Sequence, residues 1–222
     1  MKRAIILFTR VPLPGKTKTR LMPFLSGQEC ARLHECFILD IYRACAQTDA
    51  DILVCCTPDE NKDVLTQLLD RDLVFLPQRG RDLGERMSRA FRSAFRLGYE
   101  KVLLIGTDIP QLTAEILRDA FDALSAHDAV IHPTADGGYY LIGMTKEQPE
   151  LWHTARYGTS SALADTLEQA EKAGLKMAVG QMCRDVDTKE DLFALYRELG
   201  QSPGHTGRYL QHELREKLEK HE

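Results

Sequence analysis

Short, almost wholly apolar runs recur along this chain, separated by amphipathic stretches. "AIILFT", "DILVCCT", "LVFLP" and "KVLLIGTD" carry few polar residues before their ends. That continuous apolarity fits strands covered on both faces, as in a parallel sheet between two layers of helices. The intervening segments carry helix signals. Ser26 and Glu29 form a capping box that opens a helix to about Gln47. Thr57-Pro58-Asp59 starts a second helix, and "DLGERMSRAFRSAFRLG" reads as a third, ended by Gly98. A fourth runs from Thr113 to Ser125. Beyond it come the strands "DAVIHP" and "GYYLIGM", the latter flanked as an antiparallel insertion. A helix from Ser160 to Ala173, stopped by Gly174, a short strand "LKMAVG" and a helix from Thr188 to Gly200 follow. The pattern predicts one α/β domain, a mixed, mostly parallel sheet with helices on both faces.

With 222 residues the chain can bury a core without disulfide or metal staples. Its net charge of -4 gives no global attraction to nucleic acid or anionic membrane, so any basic site is local. No segment approaches the length of a transmembrane helix, and the run after Met1-Lys2-Arg3 is too short for a signal peptide. The cysteines at 30, 36, 45, 55, 56 and 183 form no C-x-x-C pair, so they read as buried reduced thiols of a cytoplasmic protein. Residues 1–200 form the expected domain and 201–222 a charged helical tail. Leu210, Leu214 and Leu218 share one stripe of that tail. It is expected to lie on the domain and to be dispensable for folding, with a homodimer contact as the sharper alternative.

Gly15-Lys16-Thr17, after the first apolar run, imitates the end of a P-loop. The loop G-x-x-x-x-G-K-[ST] requires a first glycine where this chain has Arg10, and Pro12 and Pro14 lack the N–H groups that such a loop turns to phosphate. Yet Arg10, Lys16, Lys18 and Arg20 crowd one short segment with no acid among them. They fall at the carboxyl end of the first strand, where open parallel sheets bind ligands. Stiffening prolines, and Gly15 allowing close approach, favour an anion site over a solvated basic loop. Asp108 ends the fourth strand and can hold a hard divalent cation or cap the next helix; Thr113 is better placed to cap. Asp136-Gly137-Gly138 either lets the backbone pass close to something or makes a hairpin turn. Thr188 and Asp191 resemble a helix cap. Asp185 and Asp187, just before it, alternate along an extended segment, as a further metal ligand or as a solvent-facing turn.

Taken in order, these elements resemble the GT-A-fold nucleotidyltransferases and glycosyltransferases. "GKTKTRLMP" is similar to the nucleotidyltransferase signature G-x-G-T-R-[LM]-x-P, with Lys18 in place of the second glycine. "GTDIP" resembles the metal-Asp motif of molybdenum-cofactor guanylyltransferase, and "VDTKEDL" the V-D-T-P-E-D-L segment of sugar-acid cytidylyltransferases. "QRGRDLGERM", "ADGGYYLIG" and "RYGTSS" add blocks similar to the radical-SAM/selenodomain-associated or arsenosugar-biosynthesis glycosyltransferases, with which relatives of 2-phospho-lactate guanylyltransferase are grouped. The chain lacks the lysine that completes the nucleotidyltransferase signature, a place Lys16 or Lys18 would take, and it lacks a D-x-D.

The resemblance implies a transferase that uses a nucleotide-activated donor, an NTP or an NDP-sugar, and a small-molecule acceptor, with Mg2+ or Mn2+. It implies catalytic roles for Lys16, Lys18, Arg20 and Asp108, and a metal held by Asp108 and Asp187. Arg10, Gly15, Gln78, Asp82 and Gly84 would meet the nucleotide. Asp136, Gly137, Gly138, Tyr139, Tyr157 and Thr159 would border the acceptor. Nucleotidyl and glycosyl transfer both remain open, and the alternative class is a nucleotide-binding regulatory module without turnover.

Overall fold

A computed structural model describes residues 1–69, 72–152, 156–199 and 201–220. Its centre is one seven-stranded sheet, built from β1 (Arg3–Arg10), β2 (Asp51–Thr57), β3 (Val74–Pro77), β4 (Lys101–Ile105), β5 (Ala129–Pro133), β6 (Tyr139–Met144) and β7 (Met177–Val179). The spatial order is β3-β2-β1-β4-β6-β5-β7. β1 pairs in parallel with β2 and β4, and β2 with β3. β6 runs antiparallel between β4 and β5, as its flanks suggest, and β7 returns parallel to β5. From β1 the chain winds outward through β2 and β3, then crosses to β4 on the other side of β1. The carboxyl ends of β1 and β4 therefore form a topological switch point, where such sheets open a crevice.

The helices are α1 (Gly27–Cys45), α2 (Asp63–Leu69), α3 (Leu83–Arg96), α4 (Ala114–Ala123), α5 (Ala162–Lys172), α6 (Lys189–Leu199), α7 (His205–His212) and α8 (Arg215–Glu219). They cover the sheet on both sides because successive β1 side chains point to opposite faces. Ile5 and Leu7 pack with Ile38 and Ile41 of α1 and with Leu117 and Phe121 of α4. Ala4 and Ile6 pack with Met87 and Phe91 of α3. Caps set several starts: Ser26 Oγ accepts from Glu29 N at 3.2 Å while Ser26 N donates to Glu29 Oε2 at 2.7 Å. Thr113 caps α4 as expected, accepting from Ile116 N.

The C-terminal segment, expected as one charged helix lying on the domain, is packed into the apolar interior. It forms two helices, and Leu210, Leu214 and Leu218 are fully buried. They share a third apolar cluster with Leu21, Leu33, Phe37 and Leu192. The leucine stripe is thus part of the core, because α1 and α6 leave apolar surface that only this segment covers. Lys217 Nζ also reaches Glu29 Oε1 at 2.6 Å, clasping the start of α1. Gly200, at the expected boundary, lies outside the described residues. All six cysteines are free; five are buried and Cys183 is half-buried.

Candidate active site

The loop after β1 takes its shape from two residues in the left-handed region. Gly15 has φ 74°, a conformation that glycine adopts without strain. Gly27 packs beneath it, where a Cβ would come within 2.9 Å of Gly15 N. Lys18 has φ 49°, the single positive φ outside glycine among the described residues. A side chain tolerates that strain only where its surroundings fix it. Here they do: the Lys18 side chain is 3% exposed, and its ammonium pairs closely with Asp108 Oδ1. It also donates to Val186 O at 2.7 Å and lies 3.9 Å from Asp187 Oδ1. Arg20 Nη1 meets the other Asp187 oxygen at 3.0 Å. Val186 N donates to Asp108 O at 3.1 Å, which draws the segment before α6 against the end of β4. The two carboxylates expected to share a site do reach the same place. Thr188 and Asp191, reciprocally bonded, hold the start of α6 instead.

Beneath the loop lies a buried polar chain that sequence reading missed. Thr17 Oγ1 is 2.6 Å from His34 Nδ1, His34 Nε2 is 3.0 Å from Thr107 Oγ1, and Thr107 Oγ1 is 2.8 Å from Thr9 Oγ1. Thr9 donates onward to Arg10 O at 2.9 Å. Working back from that carbonyl assigns every proton. Thr107 donates to Thr9, His34 Nε2–H donates to Thr107, and Nδ1 accepts from Thr17. Burial lowers the His34 pKa to about 4, so the ring is neutral near pH 7 and Nδ1 is its acceptor. Burial alone would raise the Asp108 pKa, but the Lys18 ammonium outweighs it and holds it below the usual carboxylate value. Asp185 behaves oppositely: burial, then the neighbouring Asp136, Asp187 and Asp108, raise its pKa to about 6.

These groups open onto a cleft of ≈ 530 Å3 at the switch point. It brings together Arg10, Lys16, Lys18, Arg20, Gln78, Asp108, Tyr139 and Asp187 of the expected residues. Gln78 is pinned at the strand ends, its Nε2 donating to Cys55 O at 3.0 Å and to Thr9 O at 3.4 Å. Arg86 joins the lining without having been anticipated.

The other expected residues do local structural work. Asp82 caps α3, accepting from Glu85 N at 2.8 Å. A Cβ on Gly84 would lie 2.4 Å from the Tyr157 ring, so that glycine makes room for the tyrosine. Asp136 accepts from Gly138 N at 3.0 Å and from Thr134 Oγ1 at 2.5 Å, closing a turn. Gly137, with φ 90°, lets Ser160 O approach to 2.1 Å of where its Cβ would stand. The backbone does pass close to something, and that something is the segment before α5. Thr159 Oγ1 donates to Arg156 O at 2.7 Å within the same segment. These glycines, Asp136, Tyr157 and Thr159 support the wall behind Tyr139.

The comparisons with known proteins agree with this geometry. The model of a family described as an uncharacterized protein conserved in bacteria, DUF2064, matches residues 40–159. The chain belongs to the DUF2064 family. The match spans β2 to the segment before α5 and so includes Gln78, Asp108 and Tyr139. The 2-phospho-L-lactate guanylyltransferase of Methanothermobacter thermautotrophicus is 28% identical over 179 residues, covering 79% of this chain and 76% of the relative. A crystal structure from Desulfovibrio desulfuricans G20, assigned as a nucleotide-diphospho-sugar transferase, is 34% identical with a TM-score of 0.93. It covers 99% of this chain and 98% of that one. A cytidylyltransferase from Leptospira borgpetersenii is 17% identical with a TM-score of 0.59, over 100% of this chain and 95% of its own, and carries the fold alone. The DUF2064 chain thus has the nucleotide-diphospho-sugar transferase fold expected from its motifs, and homology makes it a transferase.

Proposed function

We propose that this DUF2064 protein transfers a nucleotidyl group from a nucleoside triphosphate to a small phosphorylated acceptor, with Mg2+ or Mn2+. The observation that carries this reading is the convergence of Lys16, Lys18 and Arg20 with Asp108 and Asp187 in one cleft at the ends of β1 and β4. The guanylyltransferase relative supports the nucleotidyl reaction and a phosphorylated acceptor.

An acceptor phosphate oxygen attacks the α-phosphorus, the bond from α-phosphorus to the bridging oxygen breaks, and pyrophosphate leaves with the electron pair. The exposed Lys16 and Arg20 neutralise charge on the α-phosphate and on the leaving group, while the inward Lys18 ammonium is held by Asp108. No covalent enzyme intermediate is required. Gln78 and the start of α3 are positioned to border the base, and Tyr139 to border the acceptor.

Asp108 and Asp187 would hold the metal. The site fits a cation, since the Lys18 ammonium already lies against both carboxylates. Among the described residues no group of three or more His, Cys, Asp or Glu side chains could hold a metal. Substrate phosphates and water would complete the shell, as is usual for magnesium. When bound, such an ion would supply Lewis-acid neutralisation of phosphate oxygens.

The second reading, glycosyl transfer from an NDP-sugar, is favoured by the likeness to the Desulfovibrio protein. Products separate the two. Nucleotidyl transfer releases pyrophosphate from a triphosphate when a phosphorylated 2-hydroxy acid is supplied with Mg2+ or Mn2+. Glycosyl transfer releases a nucleoside diphosphate from an NDP-sugar. Nucleotide binding without either product would leave a regulatory module instead.

A further inference from the structure

Lys18 stands where the nucleotidyltransferase signature has a glycine, and its position relative to the two carboxylates is unusual for a phosphate-binding lysine. Its ammonium is turned inward, against Asp108, Val186 O and, more distantly, Asp187, with the Phe37 ring 5.1 Å away. The 3% exposure of the side chain leaves water little access to that charge. The left-handed backbone at Lys18 is what aims the stem in this direction.

We propose that Lys18 is a resident cation that competes with divalent metal for the Asp108–Asp187 pair. The inference rests on the metal-binding role proposed above for those carboxylates. Charge counting gives the argument its direction. Asp108, Asp187, the Lys18 ammonium and the Arg20 guanidinium on Asp187 sum to zero, whereas without Lys18 the set carries one negative charge. A divalent ion entering beside the ammonium meets a like charge at contact distance, on a side chain that is itself withdrawn from water. Without the ammonium the same ion meets Asp108 unopposed, and Asp187 held only by the exposed Arg20. In the wild-type protein the lysine therefore keeps the pair charge-balanced and resists metal supplied alone. An anionic group entering the cleft gives the ammonium an alternative partner and brings charge that favours the metal.

The test is a Mn2+ titration, by electron paramagnetic resonance of the free ion, of the full-length protein without nucleotide. Lys18→Met keeps the stem and removes the charge. Lys18→Gly suits the left-handed backbone. Either variant should bind Mn2+ at least ~10-fold more tightly than wild type. Lys18→Arg, which keeps the charge, should not. Adding Asp187→Asn to Lys18→Met should abolish the gain. Thermal melting gives a second readout, in which Mn2+ raises the Tm of the uncharged variants more than that of wild type. Equal Mn2+ affinity in wild type and a folded uncharged variant would overturn the proposal. So would tight, micromolar-range Mn2+ binding by wild type alone, which requires no variant to fold. Because no nucleotide is present, the outcome is independent of which donor the enzyme uses.

Discussion

Arg20 combines a 3.0 Å bond to Asp187 with a side chain that is 72% exposed. An ion pair so exposed contributes little to stability, on the order of 0–1 kcal/mol. Its value lies in holding a cation at the mouth of the cleft. Arg20→Ala should therefore melt within a few degrees of wild type yet lose most nucleotide affinity. Calorimetric titration checks this, and undiminished binding would contradict an anion site. Asp108 is different, because its partner is a buried ammonium. Asp108→Asn should abolish metal-dependent nucleotide binding, and it should also cost about 1–3 kcal/mol by leaving Lys18 without its nearest counter-charge. Denaturant unfolding with and without Mn2+ separates the two effects. The cations and Asp108 were legible in the sequence because charges beside prolines, glycines and strand ends have few structural uses, whereas Asp187 was singled out only by the likeness of its segment to V-D-T-P-E-D-L. His34 was not. A histidine on the buried face of a helix gives no sign that it will meet Thr17 and Thr107, which are remote in sequence. Gly137 was noticed for the right physical reason, close approach, but what approaches is a backbone carbonyl; Gly84, expected to meet the nucleotide, makes room for a tyrosine ring.

The strands and their order illustrate what periodicity can and cannot reveal at the scale of elements. β2 was expected from Asp51 and is found over Asp51–Thr57, since an apolar run bounded by polar residues specifies a buried strand well. The antiparallel β6 was signalled by its flanking turn. Nothing local said that it would insert between β4 and β5, because strand order is fixed by which surfaces remain uncovered after the earlier units have packed. The C-terminal stripe shows the same limit. Three leucines at helical spacing among many charges fit a surface helix as well as a core helix. Their burial against Leu21, Phe37 and Leu192 makes α7 and α8 the cover of a third cluster. Leu21 adjoins Arg20, so this cluster also backs the basic loop after β1. Leu214→Ala should cost about 2–5 kcal/mol in denaturant unfolding. Removal from Gln201 onward should abolish cooperative melting or solubility. A truncated protein that melts as sharply as wild type would show that the cluster closes without these helices.

Acid response belongs to the whole molecule, because it sums over groups that folding withdraws from water. His34 and His132 lie on different parts of the sheet scaffold, and burial lowers the pKa of each to about 4 from 6.5. His34 is 3% exposed and bonded to threonines, and His132, equally buried, lies with Nδ1 3.0 Å from the Tyr140 hydroxyl. Below the unfolded pKa the unfolded chain takes up protons that the native protein does not. The native state therefore loses stability as pH falls from about 6.5 toward 4, and the loss levels off once both states are protonated. Each histidine contributes at most about 3 kcal/mol over that window. Asp108 adds a loss at lower pH, since its folded pKa lies below the ordinary value and protonating it breaks the pair with Lys18. Asp185, whose folded pKa is raised to about 6, works the other way as pH falls from about 6 toward 4, so the two acid-sensitive windows are read from denaturant midpoints of variants compared with wild type. His132→Gln and His34→Gln should each flatten the upper window while leaving the lower one in place. A His34→Gln or His132→Gln profile identical to that of wild type between pH 6.5 and 4 would mean that the histidines titrate alike in the folded and unfolded chain.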